Sequence, residues 1–234
     1  TDVSGILMAD PRIVPTAKPI HKLTFAELRE MAFMGASVLH EESILPDKDK
    51  NIPLNIRNTN DPSHPGTLIL NTIDEASNKI HFITGVTGRQ DFTVVSVYKE
   101  HIAKSPQVIR EVLEILERFE CPLEHLTMGI DSFTIVAATS NIKERLYDIL
   151  SDIKKQCLPD KVSVEEDLAL IAVVGRAMKE TPGVSGKLFS AMGQNRINIR
   201  MIAQGTDEIS IIVGVNNTDY TKAIRVLYDQ FIGQ

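Results

Sequence analysis

One pattern of residues occurs twice in this chain at a constant offset of 76 (167 − 91 = 76). Self-similarity at a fixed spacing means two copies of one supersecondary unit, and it constrains the fold more than any composition figure does. Asp91, Phe92, Val94, Val95 and Val97 recur as Asp167, Leu168, Leu170, Ile171 and Val173, which predicts an apolar strand opening each copy. Ser105-Pro106 recurs as Thr181-Pro182, a hydroxyl followed by proline, the pattern of an N-cap and first helical residue. Val108, Val112, Leu113 and Leu116 recur as Val184, Leu188, Phe189 and Met192, so the same helical face is apolar in both copies. Gly129, Asp131, Phe133 and Ile135 recur as Gly205, Asp207, Ile209 and Ile211, a turn entering a period-2 strand. Second helices follow with one residue of slippage: Tyr147, Ile149 and Leu150 against Ile224, Val226 and Leu227.

Each copy thus reads strand, helix, strand, strand, helix, and the first copy gains a fourth strand near residues 162–164. The second copy reaches Gln234 without one. An open sheet edge promotes aggregation, so the fourth strand is expected from elsewhere in the chain. The apolar run at 80–86 is the best placed donor and is expected to pair around residues 170–174; the alternative is two independent units, the second with an exposed edge.

Residues 1–70 have another character. Asp2-Val3-Ser4-Gly5 and Asp10-Pro11-Arg12 punctuate loops, and residues 25–40 show helical spacing through Leu28, Met31, Ala32 and Leu39. Short strands are predicted at 53–57 and 67–70, around a turn-rich segment. No glycine-rich loop leading to lysine is present to cradle phosphates. Gly85-Val86-Thr87-Gly88 is the nearest candidate and reads as a hairpin turn.

Composition narrows the function classes. The 234 residues are 43% hydrophobic, enough for packed cores, and the net charge of −6 leaves no basic stripe for nucleic acid. Cys121 and Cys157 lie far apart, without a CxxC or Cys/His cluster, which argues for a reducing, cytoplasmic setting and against structural zinc. No apolar run approaches the ~20 residues that span a bilayer. The chain opens at Thr1 without methionine, as if in the middle of something longer.

Two tasks define a site for a free amino acid: backbone N–H groups for its carboxylate, and a carboxylate or carbonyls for its ammonium. The loops ending at Ser105-Pro106 and Thr181-Pro182 suit the first. Glu124 and Asp131 suit the second, although Asp131, like Asp207, could equally stabilise a tight turn. His125 is either a pH-sensitive contact or a structural histidine.

Several ordered segments resemble the aspartate kinase family. Thr1-Asp2-Val3-Ser4-Gly5 with Ala9-Asp10-Pro11-Arg12 resembles the family's nucleotide-side motif, and Gly35-Ala36-Ser37-Val38-Leu39-His40, Arg57-Asn58-Thr59 and Pro65-Gly66-Thr67-Leu68 resemble the segments after it. Glu124-His125 with Gly129-Ile130-Asp131, and Asn198-Ile199 with Ile202-Ala203-Gln204-Gly205, look like the family's two ACT-domain signatures. The resemblance implies an α+β chain: two tandem ferredoxin-like βαββαβ ACT domains with strand exchange, preceded by the tail of an α/β amino-acid-kinase domain. Its implied bounds are 1–78 for the kinase tail, 79–90 for the exchanged strand, and 91–165 and 166–234 for the ACT domains.

What the family does is transfer the γ-phosphoryl group of ATP, with Mg²⁺, to the aspartate side-chain carboxylate. The resemblance implies that Thr1, Asp2, Leu7, Arg12, Ser37 and Val38 occupy nucleotide-contacting positions, with Ser37 and Leu7 standing where many members carry Lys and Tyr. It implies no catalytic residue and no metal ligand in these residues, and no aspartate-dependent turnover by them alone. Effector positions implied for lysine and/or threonine are Ser105, Gln107, Glu124, His125, Gly129, Ile130, Asp131, Gly183, Val184, Asn198, Ile199, Gln204 and Gly205. Homodimerisation through the ACT domains is implied too. A stand-alone ACT amino-acid-binding regulator is the competing reading.

Overall fold

The computed structural model describes residues 1–35, 46–73, 83–104, 106–207 and 209–233. Two compact units result: Thr1–Arg89 together with Leu170–Gln234, and Gln90–Ala169.

In the Gln90–Ala169 unit, the later part of strand β6 (Gly85–Tyr98) leads to helix α2 (Pro106–Arg118), then β7 (His125–Met128), β8 (Ser132–Ala138), a helical turn at Thr139–Ile142, helix α3 (Leu146–Cys157) and the first part of β9 (Lys161–Val174). The order β9-β6-β8-β7 is that of a ferredoxin-like sheet. β8 lies antiparallel to β6 with Val95 opposite Ile135, and β7 lies antiparallel to β8 with Leu126 opposite Ile135. The fourth strand joins through the Asp160 N–H, which donates to the Tyr98 carbonyl at 2.9 Å. Period-2 residues Val95, Val97, Phe133 and Ile135 point to one face, where Val112 and Ile115 of α2 and Ile149 and Ile153 of α3 cover them; all are at most 1% exposed. Each such side chain contributes roughly 1.5–3 kcal/mol of burial.

The matched aspartates do not open their strands. Asp91 (φ +66) and Asp167 (φ +61) sit inside the 14-residue strands β6 and β9, in the left-handed region that Asp tolerates better than most residues. The repeat is therefore preserved at a backbone break as well as in the core.

The other unit holds the second copy: the end of β9, helix α4 (Val184–Gln194), β10 (Met201–Gln204), β11 (Ser210–Asn216) and helix α5 (Tyr220–Phe231). Its missing strand is the first part of β6, as the Thr84 N–H donating to the Val174 carbonyl at 2.7 Å shows. Strand exchange from the segment before the first copy is thus observed; residues 80–82 of the expected donor lie outside the described residues. Gly85-Val86-Thr87-Gly88 is strand, not a hairpin turn. The glycines answer close approach instead: a Cβ on Gly88 would lie 2.6 Å from the Leu170 carbonyl oxygen, and one on Gly85 3.0 Å from that of Met8.

Thr181-Pro182 does not start the second copy's helix. The Thr181 hydroxyl donates to the Ala177 carbonyl at 2.7 Å, closing the 3-10 turn Arg176–Glu180, and Gly183 (φ +88) precedes the first helical residue, Val184. A residue free to adopt positive φ delays the helix by two positions.

Residues before the exchanged strand add two small sheets to this unit. β1 (Ile6–Leu7) pairs antiparallel with β2 (Pro19–Ile20), and β5 (Thr67–Leu70) lies between β3 (Lys22–Thr24) and β4 (Leu54–Ile56). Helix α1 (Phe25–Phe33) starts with a capping box, Thr24 and Glu27, and ends before Gly35 (φ +110). The helical spacing read beyond residue 35 falls outside the described residues.

Candidate functional site

Two of the cavities in the unit formed by Thr1–Arg89 and Leu170–Gln234 gather expected site residues. The larger, about 820 Å³, lies behind the loop from Asp2 to Arg12 and takes walls from Met31 of α1, residues 86–89 of β6, and Tyr220 and Ile224 of α5. Asp2, Leu7 and Arg12, three of the positions that the resemblance implies for the nucleotide, all line this cavity. Thr1 is exposed and does not line the cavity; its carbonyl accepts from the Thr59 N–H (2.9 Å) and hydroxyl (3.0 Å). Ser37 and Val38 lie outside the described residues.

Of the two arginines on the cavity's walls, Arg89 and Arg12, the one in the loop is Arg12. Its guanidinium is bidentate to Asp10, with Nη2 at 2.6 Å from Oδ2, and the Arg12 N–H donates to Asp10 Oδ1 at 2.9 Å. The hydrogen bond from the Arg12 side chain holds the Asp10 carboxyl below its usual range, against the opposing effect of burial. Arg12 is itself 87% exposed, so the carboxylate orients a cation that remains accessible to an anionic ligand. Across the cavity, burial and the negative Asp10 push the Tyr220 phenol up, so it stays protonated; it donates to the Gly88 carbonyl at 2.7 Å. Sequence reasoning missed Met31, His64, Tyr220 and Ile224, which carry no local motif.

The smaller cavity, about 600 Å³, is bounded by residues 178–185 on one side and Gln204, Gly205, Thr206 and Ile211 on the other. It gathers Gly183, Val184, Gln204 and Gly205, four of the expected effector positions. Asn198 and Ile199 are not on its walls. The first N–H groups of α4 have no partner within the helix and could meet a carboxylate.

In the Gln90–Ala169 unit the expected residues have mixed roles. Asp131 accepts the His101 N–H at 2.8 Å through its carboxylate and the Lys99 N–H at 2.9 Å through its carbonyl, holding the loop before α2. Asp160 does the same for the Glu100 N–H at 2.8 Å. Glu124 is half-buried, and its N–H donates to Val136 at 2.9 Å; His125 opens β7 opposite Val136. The Gly129 N–H closes the β7–β8 turn on the Ser132 carbonyl at 2.7 Å, while Ile130 stands 82% exposed. Gln107 donates to Glu111 at 2.7 Å on the surface of α2. Ser105 is outside the described residues. Among the described residues no group of three or more His, Cys, Asp or Glu could hold a metal ion, and no helix is long and apolar enough to cross a membrane.

Residues 1–58 match the model of the amino acid kinase family, and residues 171–231 match an ACT domain. The crystal structure of Clostridium acetobutylicum aspartate kinase superposes with a TM-score of 0.92 at 45% identity, over 99% of this chain and 53% of that one. Aspartokinase 3 of Bacillus subtilis is 34% identical over 232 residues, 99% of this chain and 50% of the relative. Over its whole length the chain is homologous to the C-terminal half of aspartate kinases. It spans about half the length of these aspartate kinases, and the matching half is their C-terminal one. Escherichia coli aspartokinase III, crystallised with aspartate and ADP, is a further aspartate kinase of the same fold, with a TM-score of 0.84 at 28% identity over 100% of this chain and 51% of that one. The α+β architecture and its ACT elements are those of the family.

Proposed function

We propose that this chain forms the nucleotide-side wall and the feedback-sensing part of an enzyme that phosphorylates the aspartate side-chain carboxylate with ATP. The observation that carries the reading is the 820 Å³ cavity, where Asp2, Leu7 and the Asp10-oriented Arg12 meet residues of the second ACT copy. Phosphoryl transfer depends mainly on positioning and charge stabilisation, and an accessible, pre-aligned guanidinium supplies both for a polyphosphate. Bound ATP supplies the γ-phosphoryl group. Mg²⁺ accompanies the nucleotide in this reading.

The 600 Å³ cavity is a candidate effector site for lysine and/or threonine, with Gly183 and Val184 at a helix start and Gln204 and Gly205 facing them. Escherichia coli aspartokinase III has been crystallised with lysine and aspartate, a structure 29% identical to this chain with a TM-score of 0.81; this supports an amino-acid effector here. The Asp131-held loop before α2 is the matching place in the first copy, with Gln107, Glu124 and His125 near it in sequence. Pairing of ACT copies between two protomers in the cytoplasm completes the reading.

Calorimetric titration of the chain with lysine, threonine and ADP·Mg²⁺ tests it. Saturable binding of at least one amino acid and of the nucleotide, the latter weakened at least about ten-fold in Arg12→Ala, is expected. Absence of amino-acid binding removes the sensing role, and nucleotide binding indifferent to Arg12→Ala removes the nucleotide role of this cavity.

A further inference from the structure

The cavity beside Arg12 is not built by the kinase-like segment alone. Tyr220 and Ile224 of α5, from the part of the chain that matches an ACT domain, form one of its walls. Tyr220 is half-buried, and its hydroxyl is fixed by the 2.7 Å bond to the Gly88 carbonyl. The ring lies against the backbone of Gly88 so closely that a Cβ there would come within 2.9 Å of its Cε2. The absence of a side chain at position 88 is thus what lets the ring reach the cavity.

The helix carrying this ring is fastened to the loop that follows Arg12. Arg225 Nε donates to the Ile13 carbonyl at 2.9 Å, the Lys18 N–H donates to the Tyr228 hydroxyl at 2.9 Å, and Lys18 Nζ donates to the Ile232 carbonyl at 2.8 Å. Ring and guanidinium are therefore held on one scaffold, so a ligand that spans them would lose little affinity to ordering side chains. Tyr220 is the six-membered aromatic ring among the cavity's lining residues. A flat aromatic base stacks on such a ring, whereas the polyphosphate is suited to Arg12.

We infer that Tyr220 is a ligand-contact residue of this cavity, its ring stacking with the purine base of the nucleotide whose phosphates Arg12 attracts. The inference rests on the nucleotide reading of the cavity and adds a specificity residue supplied by the regulatory copy.

The test is titration of the chain with ADP·Mg²⁺ and, separately, with inorganic tripolyphosphate, using the wild type, Tyr220→Phe, Tyr220→Ala and Tyr220→Leu. Tyr220→Ala should weaken ADP about ten-fold or more and leave tripolyphosphate within about two-fold, because only the base meets the ring. Tyr220→Phe keeps the ring and should stay within about three-fold of the wild type for both ligands. If Tyr220→Ala fails to fold, Tyr220→Leu preserves apolar volume and should show the same selective loss. Unchanged ADP affinity, or equal loss of ADP and tripolyphosphate, overturns the assignment of Tyr220. A wild type that binds tripolyphosphate but not ADP also overturns it, and one that binds neither overturns the nucleotide reading with it.

Discussion

Glu27 and Arg176, 149 positions apart, meet in a part-buried ion pair: Arg176 Nη1 lies 3.1 Å from both carboxylate oxygens of Glu27, and the Arg176 N–H donates to Oε1 at 3.1 Å. The Glu27 side chain is fully buried and also accepts from the Thr24 N–H (2.8 Å), the Thr24 hydroxyl (2.9 Å) and the Thr84 hydroxyl. A desolvated carboxylate persists only when its lone pairs are satisfied in this way. One residue thus joins the start of α1, the segment entering β6 and the 3-10 turn that walls the smaller cavity. Truncating Arg176 to Met leaves a buried charge short of its cation and should cost about 3–5 kcal/mol; a midpoint change in urea denaturation equivalent to less than about 1 kcal/mol contradicts this.

Acid should act through the same carboxylate. Burial pushes the Glu27 carboxyl up, but the Thr84 hydroxyl, the Thr24 N–H and the Arg176 charge together outweigh it, and the net shift is downward. A carboxyl depressed in the folded state stabilises the fold above its unfolded value, about 4.3, and that contribution is lost as pH falls through the folded value. Thermal midpoints should change little above about pH 5 on this group's account and fall below about pH 4. Glu27→Gln should be less stable at neutral pH and show a shallower acid decline; an identical acid slope in the variant assigns the transition to other groups.

Glycine substitutions should separate close approach from mere composition. Gly88→Ala drives a Cβ to 2.6 Å from the Leu170 carbonyl and should cost at least about 1–3 kcal/mol. Gly186→Ala lies inside α4 with nothing within 4 Å and should gain about 0.5–1 kcal/mol. Chemical denaturation of the two variants reads both signs, and equal effects would mean that the exchanged strand is not packed as described.

The thiols should be unreactive until the fold opens. Cys157 is 1% exposed, and its thiol is pushed up to about 11, first by burial and then by the neighbouring Glu111. At pH 8 its alkylation by iodoacetamide should proceed only as fast as global unfolding, since the thiolate is the reactive form. Rapid labelling of Cys157 in native protein would contradict the closed core of the Gln90–Ala169 unit.

Much of the architecture was legible because the repeat calls for four strands in each copy while the second copy supplies only three of its own. The need for a fourth strand pointed to the segment ahead of the first copy, and the Thr84 to Val174 bond lies where that need placed it. Reading failed where the deciding partner is distant. Gly85 and Gly88 have the composition of a turn, and only the Met8 and Leu170 carbonyls reveal that they serve close packing. Thr181-Pro182 has the form of a cap, but Gly183 in a left-handed conformation takes that place. Asp2, Leu7 and Arg12 share a short motif and could be grouped from the sequence. Tyr220, 132 positions from the glycine that seats it, carried no such signal.

Coupling between the two ligands tests the central claim most directly. The affinity of the chain for ADP·Mg²⁺ should be measured by calorimetry in the absence and presence of saturating lysine or threonine. Feedback sensing predicts that at least one of the amino acids changes the nucleotide dissociation constant by about 5–150-fold, with an equal reciprocal change in amino-acid affinity. Binding of both ligands with no change in either constant would contradict it.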